Sequence, residues 1–326
     1  MKKKAVAIAA VAGGVGAVLV GGAYATYRFG FYSPNANQNL DRSFGVSDQT
    51  RPIYSKIMDL LDDYNAIPFE RVYMQSYDGL RLTARYYESK PGAPLCICCH
   101  GWRSTPARDF CGATPMLLKH GYNLLLIEQR AMGGSEGHTM TYGVKERFDA
   151  RDWAKWAVER FGKDLKIVLI GVSMGAATVL MSADLDLPEN VKGIVADCPF
   201  DAPHRIQTKV GMETGFPLFT SLLMATLAAR LFGGFSVFGS SAMKAVKKAT
   251  VPIMIFHGDD DQFVPEWMSA NIAKKNPEKI ERYLFHGAGH ALSYMVDPER
   301  YEKLLTGFLS RVLAYGKTSE TTDSSA

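Results

Sequence analysis

One stretch of the sequence restricts the possible folds more than any other. Its first part, Lys166 to Ile170, is an apolar run with the length of a buried strand, and residues 176–180 favour a helix. Between them lies a Gly-x-Ser-x-Gly turn, Gly171 to Gly175, with Ser173 at its centre. Glycines two positions either side of a serine allow a sharp bend that exposes the hydroxyl near the positive end of the helix. The pattern predicts a reactive serine on a strand–turn–helix unit, and an ordinary Gly/Ser turn is the alternative.

The composition is that of an ordinary globular protein of substantial size. The chain has 326 residues, of which 47% are hydrophobic and 21% charged, and its formal net charge is +4. The basic residues are scattered rather than arranged in a stripe, which argues against nucleic acid as a partner. One large α/β domain with additions is the expectation for this length.

The five cysteines are interpreted as small buried hydrophobic residues. Three of them crowd one predicted strand, where adjacent side chains point to opposite faces and cannot easily share a partner. Their spacing matches no metal-ligand motif. They are Cys96, Cys98, Cys99, Cys111 and Cys198.

The N-terminal segment, residues 1–27, is predicted to be a membrane anchor or a signal segment. Three lysines, residues 2–4, precede an uncharged stretch from Ala5 to Tyr27, which is long enough to span a bilayer. The tripeptide Ala23-Tyr24-Ala25 also resembles a signal-peptidase site. A retained single-pass anchor at the cell membrane is favoured, with secretion after cleavage as the alternative. Both place the following domain outside the cytoplasm.

The remaining chain divides into three parts. Residues 28–68 are predicted to be a polar linker followed by a short helix over 51–65, and residues 316–326 a disordered tail. Residues 69–315 contain a β-hairpin around Asp78-Gly79 and then alternating short apolar strands and helices, one of which is expected over Asp109 to His120. This alternation predicts an α/β fold with a mostly parallel sheet that is covered by helices on both faces.

One segment of that domain, about residues 198–250, interrupts the alternation. It has no clear strand, and Phe216 to Phe238 is apolar with a single charge, Arg230. A second membrane span is rejected because Pro217 and Gly233-Gly234 break the segment. The segment is interpreted as a helical cap over the site that favours a substrate with an apolar part; simple packing on the domain is the alternative.

A serine hydroxyl needs a base to accept its proton. The best candidate is His290, which follows the last predicted strand on a Gly-rich loop, and His286 is the weaker alternative. Loops that follow strands lie at the carboxyl edge of a parallel sheet, where sites form.

A histidine base needs a carboxylate that fixes its tautomer. Three aspartates follow the strand that ends near His257, and Asp261 is chosen over Asp259 and Asp260, which are interpreted as turn residues. The predicted triad therefore runs Ser173, Asp261, His290 along the chain.

An oxyanion hole requires two backbone N–H groups. One is expected from Met174, directly after the serine, and the other from Trp102 in the loop after the strand 95–99. His100 and His257 each precede a glycine at a strand end, and structural roles are favoured for both.

Together these motifs resemble the α/β-hydrolase superfamily over residues 69–313. Within that superfamily, the sequence is similar to the bacterial membrane-anchored branch of esterase-like and prolyl-oligopeptidase-like hydrolases. It departs from the family pattern at Glu128 and Ala131, where many relatives carry aspartate and glycine. The resemblance implies acyl transfer to water through a serine ester, without a metal or an organic cofactor. The residues that carry it are His100-Gly101-Trp102, Glu128-Gln129-Arg130, Gly133-Gly134-Ser135, Gly171 to Gly175, His257-Gly258, Asp261, Val264-Pro265 and Gly289-His290.

The expected function is that of a serine hydrolase acting on a small-molecule acyl ester, carboxylesterase-like or lipase-like. A peptidase for short peptides and an acyltransferase use the same residues and remain alternatives. A catalytically silent binding module tethered to the membrane is the alternative from another functional class, disfavoured because every triad position is filled.

Overall fold

The computed structural model of this chain describes residues 2–33 and 50–314, and for residues 2–13 and 15 it describes the backbone only. Most of the predicted polar linker (34–49) and the whole predicted C-terminal tail (316–326) lie outside the described residues.

An eight-stranded sheet forms the centre of the domain. Its strand order is β1-β2-β4-β3-β5-β6-β7-β8; β2 is antiparallel to β1 and β4, and all other neighbours are parallel. This confirms the predicted mostly parallel α/β fold with an N-terminal hairpin. The strands are β1 Glu70–Gln75, β2 Arg81–Tyr87, β3 Leu95–Cys99, β4 Asn123–Glu128, β5 Ile167–Val172, β6 Val191–Asp197, β7 Ile253–Gly258 and β8 Ile280–Phe285.

The side chains of β3 show how the sheet is buried on both faces. Leu95, Ile97 and Cys99 belong to one hydrophobic cluster, whereas Cys96 and Cys98 belong to the cluster on the opposite face. This is the period of two that a strand imposes. All five cysteines are buried free thiols, and the interpretation as small hydrophobic residues is confirmed.

Helices cover both faces of the sheet. Helices α5 and α6 pack on one face, and α2, α3, α4 and α12 pack on the other. The helices are α1 Lys2–Gly30, α2 Tyr54–Asn65, α3 Pro106–Phe110, α4 Ala113–Lys119, α5 Glu146–Phe161, α6 Met174–Met181, α7 Pro203–Glu213, α8 Leu218–Ala228, α9 Ala242–Ala245, α10 Trp267–Ala273, α11 Ser293–Val296 and α12 Pro298–Ala314.

The predicted single helix over 109–120 is wrong, because the structure contains two helices there. Thr105 caps the first, α3, by accepting a hydrogen bond from the Arg108 N–H, and the chain then turns at Gly112 before α4. A side chain at Gly112 would lie 2.2 Å from the ring of Tyr294. The close packing of that ring against bare backbone explains why the helix is interrupted at this point.

The segment between β6 and β7 is helical throughout its regular structure, with α7, α8, a π-helical turn over Ala229–Gly233, and α9. Helix α8 packs against both α7 and α1. Several apolar side chains of this segment stay exposed, including Phe216, Leu218 and Phe219.

The end of α1 differs from the linker predicted to begin at residue 28. The helix continues through Gly30, Phe31 is fully buried, and Tyr32 forms an antiparallel bridge with Thr139. The sequence-based boundary failed because contacts with distant loops, rather than local polarity, decide the conformation of this segment.

The predicted membrane helix is not supported by the residues that the structure describes, since none of their helices combines the length and the apolar character of a bilayer span. The side chains of residues 5–13, in the first half of the predicted anchor, lie outside that description.

The strand–turn–helix unit at Ser173 depends on two glycines. A Cβ atom at Gly175 would lie 1.9 Å from the carbonyl oxygen of Cys99, and one at Gly171 would lie 2.3 Å from the backbone of Gly175. Such distances leave no room for a side chain, so the start of α6 can approach β3 only with glycine at these positions. Ser173 itself has φ 55°, a strained value for a residue that is not glycine.

We predict that Gly175→Ala destabilises the domain by at least about 3 kcal/mol, because the new methyl group collides with backbone atoms that cannot move aside. Denaturant-induced unfolding measures this loss. Gly307→Ala in α12 is the matched control. A Cβ there meets no atom within 4 Å, so the control should gain about 0.5–1 kcal/mol from helix propensity. Equal stabilities for the two variants would contradict the argument.

Candidate active site

Ser173, His290 and Asp261 lie in one chain of hydrogen bonds. The Nε2 atom of His290 is 2.9 Å from Ser173 Oγ, and its Nδ1 atom is 2.7 Å from Asp261 Oδ2. The carboxylate accepts a hydrogen bond from Nδ1–H, which leaves Nε2 free to accept one from the serine hydroxyl. The structure thus brings together the three side chains that the sequence analysis selected, in the order expected for a nucleophile, a base and an acid.

Each of these side chains is carried by a loop at the carboxyl edge of the sheet. Ser173 connects β5 to α6, Asp261 follows β7, and His290 follows β8. Ser173 is further fixed by its own N–H, which donates to the carbonyl oxygen of Asp197 at the end of β6, 2.8 Å away. Parallel strands bring these loops together although they are distant in sequence.

Asp261 is held as a carboxylate. Burial by itself raises its pKa, but hydrogen bonds from His257 and His290 and from the backbone N–H of Val264 outweigh that effect, and the pKa falls to about 2. The N–H groups of Phe263 and Val264 lie 3.0 Å and 2.8 Å from Oδ1. The group is therefore negatively charged across the physiological range and can stabilise a protonated His290.

The weaker sequence candidates are located elsewhere. His286 Nδ1 lies 2.6 Å from Asp259 Oδ2, and its side chain is 86% exposed, so the pair forms a surface contact. The backbone N–H of Asp260 donates to the carbonyl oxygen of Ala288 in the turn. Neither aspartate contacts His290 in the way that Asp261 does.

His257 and His100 are buried and have structural contacts. His257 Nε2 lies 2.8 Å from the Val264 carbonyl oxygen and 3.3 Å from Asp261 Oδ2. These two contacts hold the loop that carries Asp261 against the end of β7. His100 Nδ1–H donates to the carbonyl oxygen of Gly101, and its Nε2 accepts from the N–H of Gln129. Burial lowers the pKa of His100.

The loop predicted to provide an oxyanion N–H comes close to Ser173. A Cβ at Gly101 would lie 3.3 Å from Ser173 Cβ. The N–H of Gly101 is already used, because it donates to Asp109. Among the residues that the structure describes, no acceptor is found for the N–H of Trp102 or Met174, so both are available to a bound group.

Trp102, in the loop after β3, belongs to a row of packed aromatic side chains. The rings of Trp102 and Tyr142 are 6.4 Å apart and those of Tyr142 and Phe200 6.1 Å apart, measured between centroids. Phe263 meets the His290 ring edge-on at 5.1 Å. Tyr142 and Phe200 are buried in the hydrophobic core, whereas Phe263 is 40% exposed.

Two buried groups lie beside the triad that the sequence analysis did not place among the site residues. Asp197 accepts a hydrogen bond from Ser293 Oγ, and burial raises its pKa to about 6. Cys198 has a left-handed backbone (φ 47°), and burial raises the pKa of its thiol. Asp197 ends β6 and Cys198 follows it. Their position at the end of a strand is the only signal in the sequence that points to them.

The side chains of Cys198, Asp261 and His290 each offer a ligand atom, and these atoms lie within 4.8 Å of one another. Two of them, Asp261 Oδ2 and His290 Nδ1, are only 2.7 Å apart. Zinc ligands at typical bond lengths of about 2.0–2.3 Å stand further apart than this around the ion. The geometry fits a hydrogen-bonded pair rather than two ligands of one cation.

The loop after β4 keeps its turn despite the two departures noted in the sequence. Glu128 Oε2 accepts hydrogen bonds from the Gly134 N–H and the Thr83 hydroxyl, both at 2.7 Å. Ala131 adopts the left-handed conformation (φ 64°) that glycine tolerates better. Both residues are accommodated in the turn, and the triad contacts are in place.

Comparison with known proteins places the fold in context. The sequence profile of the alpha/beta hydrolase family matches residues 96–304. Among solved structures, the Pyrococcus furiosus esterase Pf2001 superposes with a TM-score of 0.59 at 23% identity, covering 78% of this chain and 94% of the esterase. At that identity the similarity establishes a common fold.

Two curated relatives share part of the sequence. An uncharacterized protein of Bacillus subtilis (strain 168), YqkD, is 26% identical over 198 residues, which cover 60% of this chain and 65% of YqkD. The thiohydrolase aneE of Aspergillus aculeatus is 27% identical over 137 residues, covering 40% of this chain and 42% of aneE. The matched regions thus span less than two thirds of either relative.

We predict that Asp197→Asn stabilises the protein at pH 8 and has a smaller effect at pH 4.5. The folded protein retains the proton on Asp197 up to about pH 6, whereas an unfolded chain releases it near about pH 4. Between these values the folded state binds more protons, so the carboxyl lowers the free energy of unfolding as pH rises. Asparagine does not titrate, so the variant keeps the free energy of unfolding that the wild type loses as pH rises. Denaturant-induced unfolding at both pH values measures the difference.

Asp186→Asn is the control with the opposite sign. Hydrogen bonds from Lys155 and Arg151 lower the pKa of Asp186 to about 2. This exposed carboxylate stabilises the folded state above the unfolded pKa and loses that effect as pH falls. The control should therefore gain no stability at pH 8. A pH-independent effect of Asp197→Asn would contradict the prediction.

Proposed function

The chain belongs to the alpha/beta hydrolase family, and we propose that it is a serine hydrolase that cleaves small-molecule acyl esters through an acyl-enzyme. The observation that carries the proposal is the continuous set of contacts from Ser173 Oγ through His290 to Asp261. A carboxylesterase-like or lipase-like activity is the specific form proposed.

In the acylation step, Ser173 Oγ attacks the ester carbonyl carbon while His290 Nε2 accepts the hydroxyl proton. Asp261 stabilises the resulting imidazolium and holds it by the Nδ1–H bond. His290 then donates that proton to the departing alkoxide, and the serine ester remains. Water attacks this ester in the second half, with His290 again acting first as a base and then as an acid.

The backbone N–H groups of Met174 and Trp102 are proposed to bind the oxyanion that forms in both halves. Met174 begins α6, so its N–H lies at the positive end of the helix dipole. Trp102 comes from the loop that approaches Ser173. Both N–H groups are available, which supports this assignment.

An apolar acyl or aromatic group is proposed on the substrate. The ring of Phe263, which is 40% exposed and packs against His290, supports this choice. A thioester undergoes the same acyl transfer as an oxygen ester, and the name of the thiohydrolase relative makes it a worthwhile second substrate class.

We predict that Ser173→Ala lowers ester turnover at least about a thousandfold, because the acyl-enzyme can no longer form. Wild-type and variant proteins are compared on short p-nitrophenyl esters, long acyl esters, an acyl thioester and aminoacyl anilides. Labelling by a fluorophosphonate probe should disappear in parallel. Ser310→Ala, at an exposed position of α12, is the matched control and should retain both properties.

The assay separates the alternatives. Fastest turnover of the aminoacyl anilides would replace the esterase proposal by a peptidase. Full ester turnover by Ser173→Ala would overturn the proposed mechanism, and failure of the probe to label folded wild-type protein would favour a silent binding module.

We also propose that the protein is held at the cell membrane by α1, with the hydrolase domain outside the cytoplasm. The lysines at residues 2–4 and the uncharged stretch that follows support anchoring. Ala23 is fully buried and Tyr24 packs against Phe232 of the cap, so cleavage after Ala25 requires this part of α1 to leave its site. That packing favours a retained anchor over secretion after cleavage.

Fractionation of cells that express the full chain, with mass spectrometry of its N-terminus, measures both properties. We expect recovery with the membranes and an intact N-terminus. Full-length protein in the soluble fraction would contradict anchoring, and an N-terminus at Thr26 would contradict retention.

A further inference from the structure

The end of helix α1 is bonded directly to the loop that carries the proposed oxyanion donor. The carbonyl oxygen of Gly30, at the end of α1, accepts a hydrogen bond from the indole Nε1–H of Trp102 at 3.0 Å and another from the hydroxyl of Tyr142 at 3.0 Å. The side chain of Trp102 is thus held by α1, while its backbone N–H is the group proposed to face the substrate.

The next residue in the loop, Arg103, makes a second set of bonds to the same segment. One guanidinium nitrogen, Nη2, donates to the carbonyl oxygens of Phe29 at 2.8 Å and Tyr32 at 2.9 Å, with that of Arg28 at 3.4 Å. Carbonyls in the last turn of a helix have no partner within the helix and carry a partial negative charge. A cationic side chain with several donors is well suited to this position.

The backbone of Arg103 is strained. Its φ is 47°, in the left-handed region that residues with a side chain rarely adopt. Such a conformation persists only where surrounding contacts require it. Its guanidinium bonds to α1 are contacts of that kind.

The receiving segment is itself firmly packed. Phe31 is fully buried and meets the rings of Tyr142 and Phe235 edge-on, at 5.6 Å and 5.4 Å between centroids. Its carbonyl oxygen accepts a hydrogen bond from the Met140 N–H, and the Ser33 N–H donates to the carbonyl oxygen of His138. The end of α1 therefore offers a fixed support rather than a mobile one.

On its other side the loop is supported by one carboxylate. Asp109 accepts hydrogen bonds from the Gly101 N–H and the Ser104 hydroxyl, each at 2.5 Å. Asp109 is hydrogen-bonded to Gly101 and Ser104, which flank the pair, whereas α1 is hydrogen-bonded to Trp102 and Arg103. Restraint of the whole loop therefore needs both sets of hydrogen bonds.

We propose that Arg103 and the carbonyl groups at the end of α1 position the Trp102 N–H for the oxyanion, so that the active site is complete only when α1 is docked. This inference rests on the proposed function and adds a role for a segment outside the residues that the family profile matches. Arg103 acts through Trp102 and is a positioning residue rather than a catalytic one.

The test compares Arg103→Met, which removes the donors while keeping the length of the side chain, with Arg103→Lys, which keeps the charge. Arg311→Met is the matched control, because Arg311 is exposed and its contacts, an ion pair with Glu281 and a ring contact with Phe308, involve β8 and α12 rather than the loop after β3. For each protein, kcat and KM are measured on the best ester substrate, together with inhibition by phenylboronic acid. Hydrogen–deuterium exchange is followed for residues 100–104.

We expect Arg103→Met to lower kcat by about 10- to 100-fold with KM changed less than about threefold, since loss of a whole oxyanion donor costs about 100- to 1000-fold and this donor is displaced rather than removed. The boronic acid, whose serine adduct is tetrahedral, should bind more weakly by a similar factor. Exchange in residues 100–104 should accelerate. Arg103→Lys should recover part of each effect, and Arg311→Met should match the wild type.

Trp102→Phe provides a second variant in case Arg103→Met does not fold. It removes the indole donor to Gly30 and keeps the backbone N–H, and it should reduce kcat in the same direction. Wild-type kcat, inhibitor binding and loop exchange in both folded variants would overturn the inference. If the wild-type protein hydrolyses none of the substrates, the proposed function fails, and loop exchange still decides whether α1 restrains the loop.

Discussion

The contact between the start of α6 and the end of β3 determines most of the site. Gly175 packs so closely on the Cys99 carbonyl that no side chain fits between them. That approach places the loop after β3 beside Ser173, where a Cβ at Gly101 would lie 3.3 Å from Ser173 Cβ. The geometry around Ser173 therefore depends on a position where the protein has no side chain at all.

Local patterns were sufficient to predict the sheet and the three triad candidates. Ser173, Asp261 and His290 each follow a strand, and parallel strands bring such loops to one edge, so the sequence indicated their proximity without any contact information. The docked end of α1 and the carboxyl of Asp197 could not be predicted in this way. Gly30 and Trp102 are 72 residues apart, and nothing in either local sequence specifies their hydrogen bond.

The loop after β4 illustrates how a departure from a family pattern is accommodated. Glu128 is one methylene longer than the aspartate expected from the family resemblance, and its carboxylate accepts a hydrogen bond from the N–H of Gly134. A side chain at Gly133 would lie 2.7 Å from that carboxylate, so the neighbouring glycine provides the space. Ala131 adopts the left-handed backbone at a cost of about 1 kcal/mol. In this chain, Glu128, Ala131 and Gly133 thus support the turn together.

The hydrogen bonds at the end of α1 also determine how far the site lies from the first turn of that helix. A flexible tether would let the domain sample a wide range of heights and tilts, whereas a helix of 29 residues is a rod of about 43 Å. The last turn of that rod is bonded to the loop after β3, which lies beside Ser173. The position and direction of its first turn therefore determine where the sheet edge that carries Ser173 lies and how it is oriented. In the proposed membrane attachment, α1 would therefore fix the position of the domain as well as hold it at the membrane.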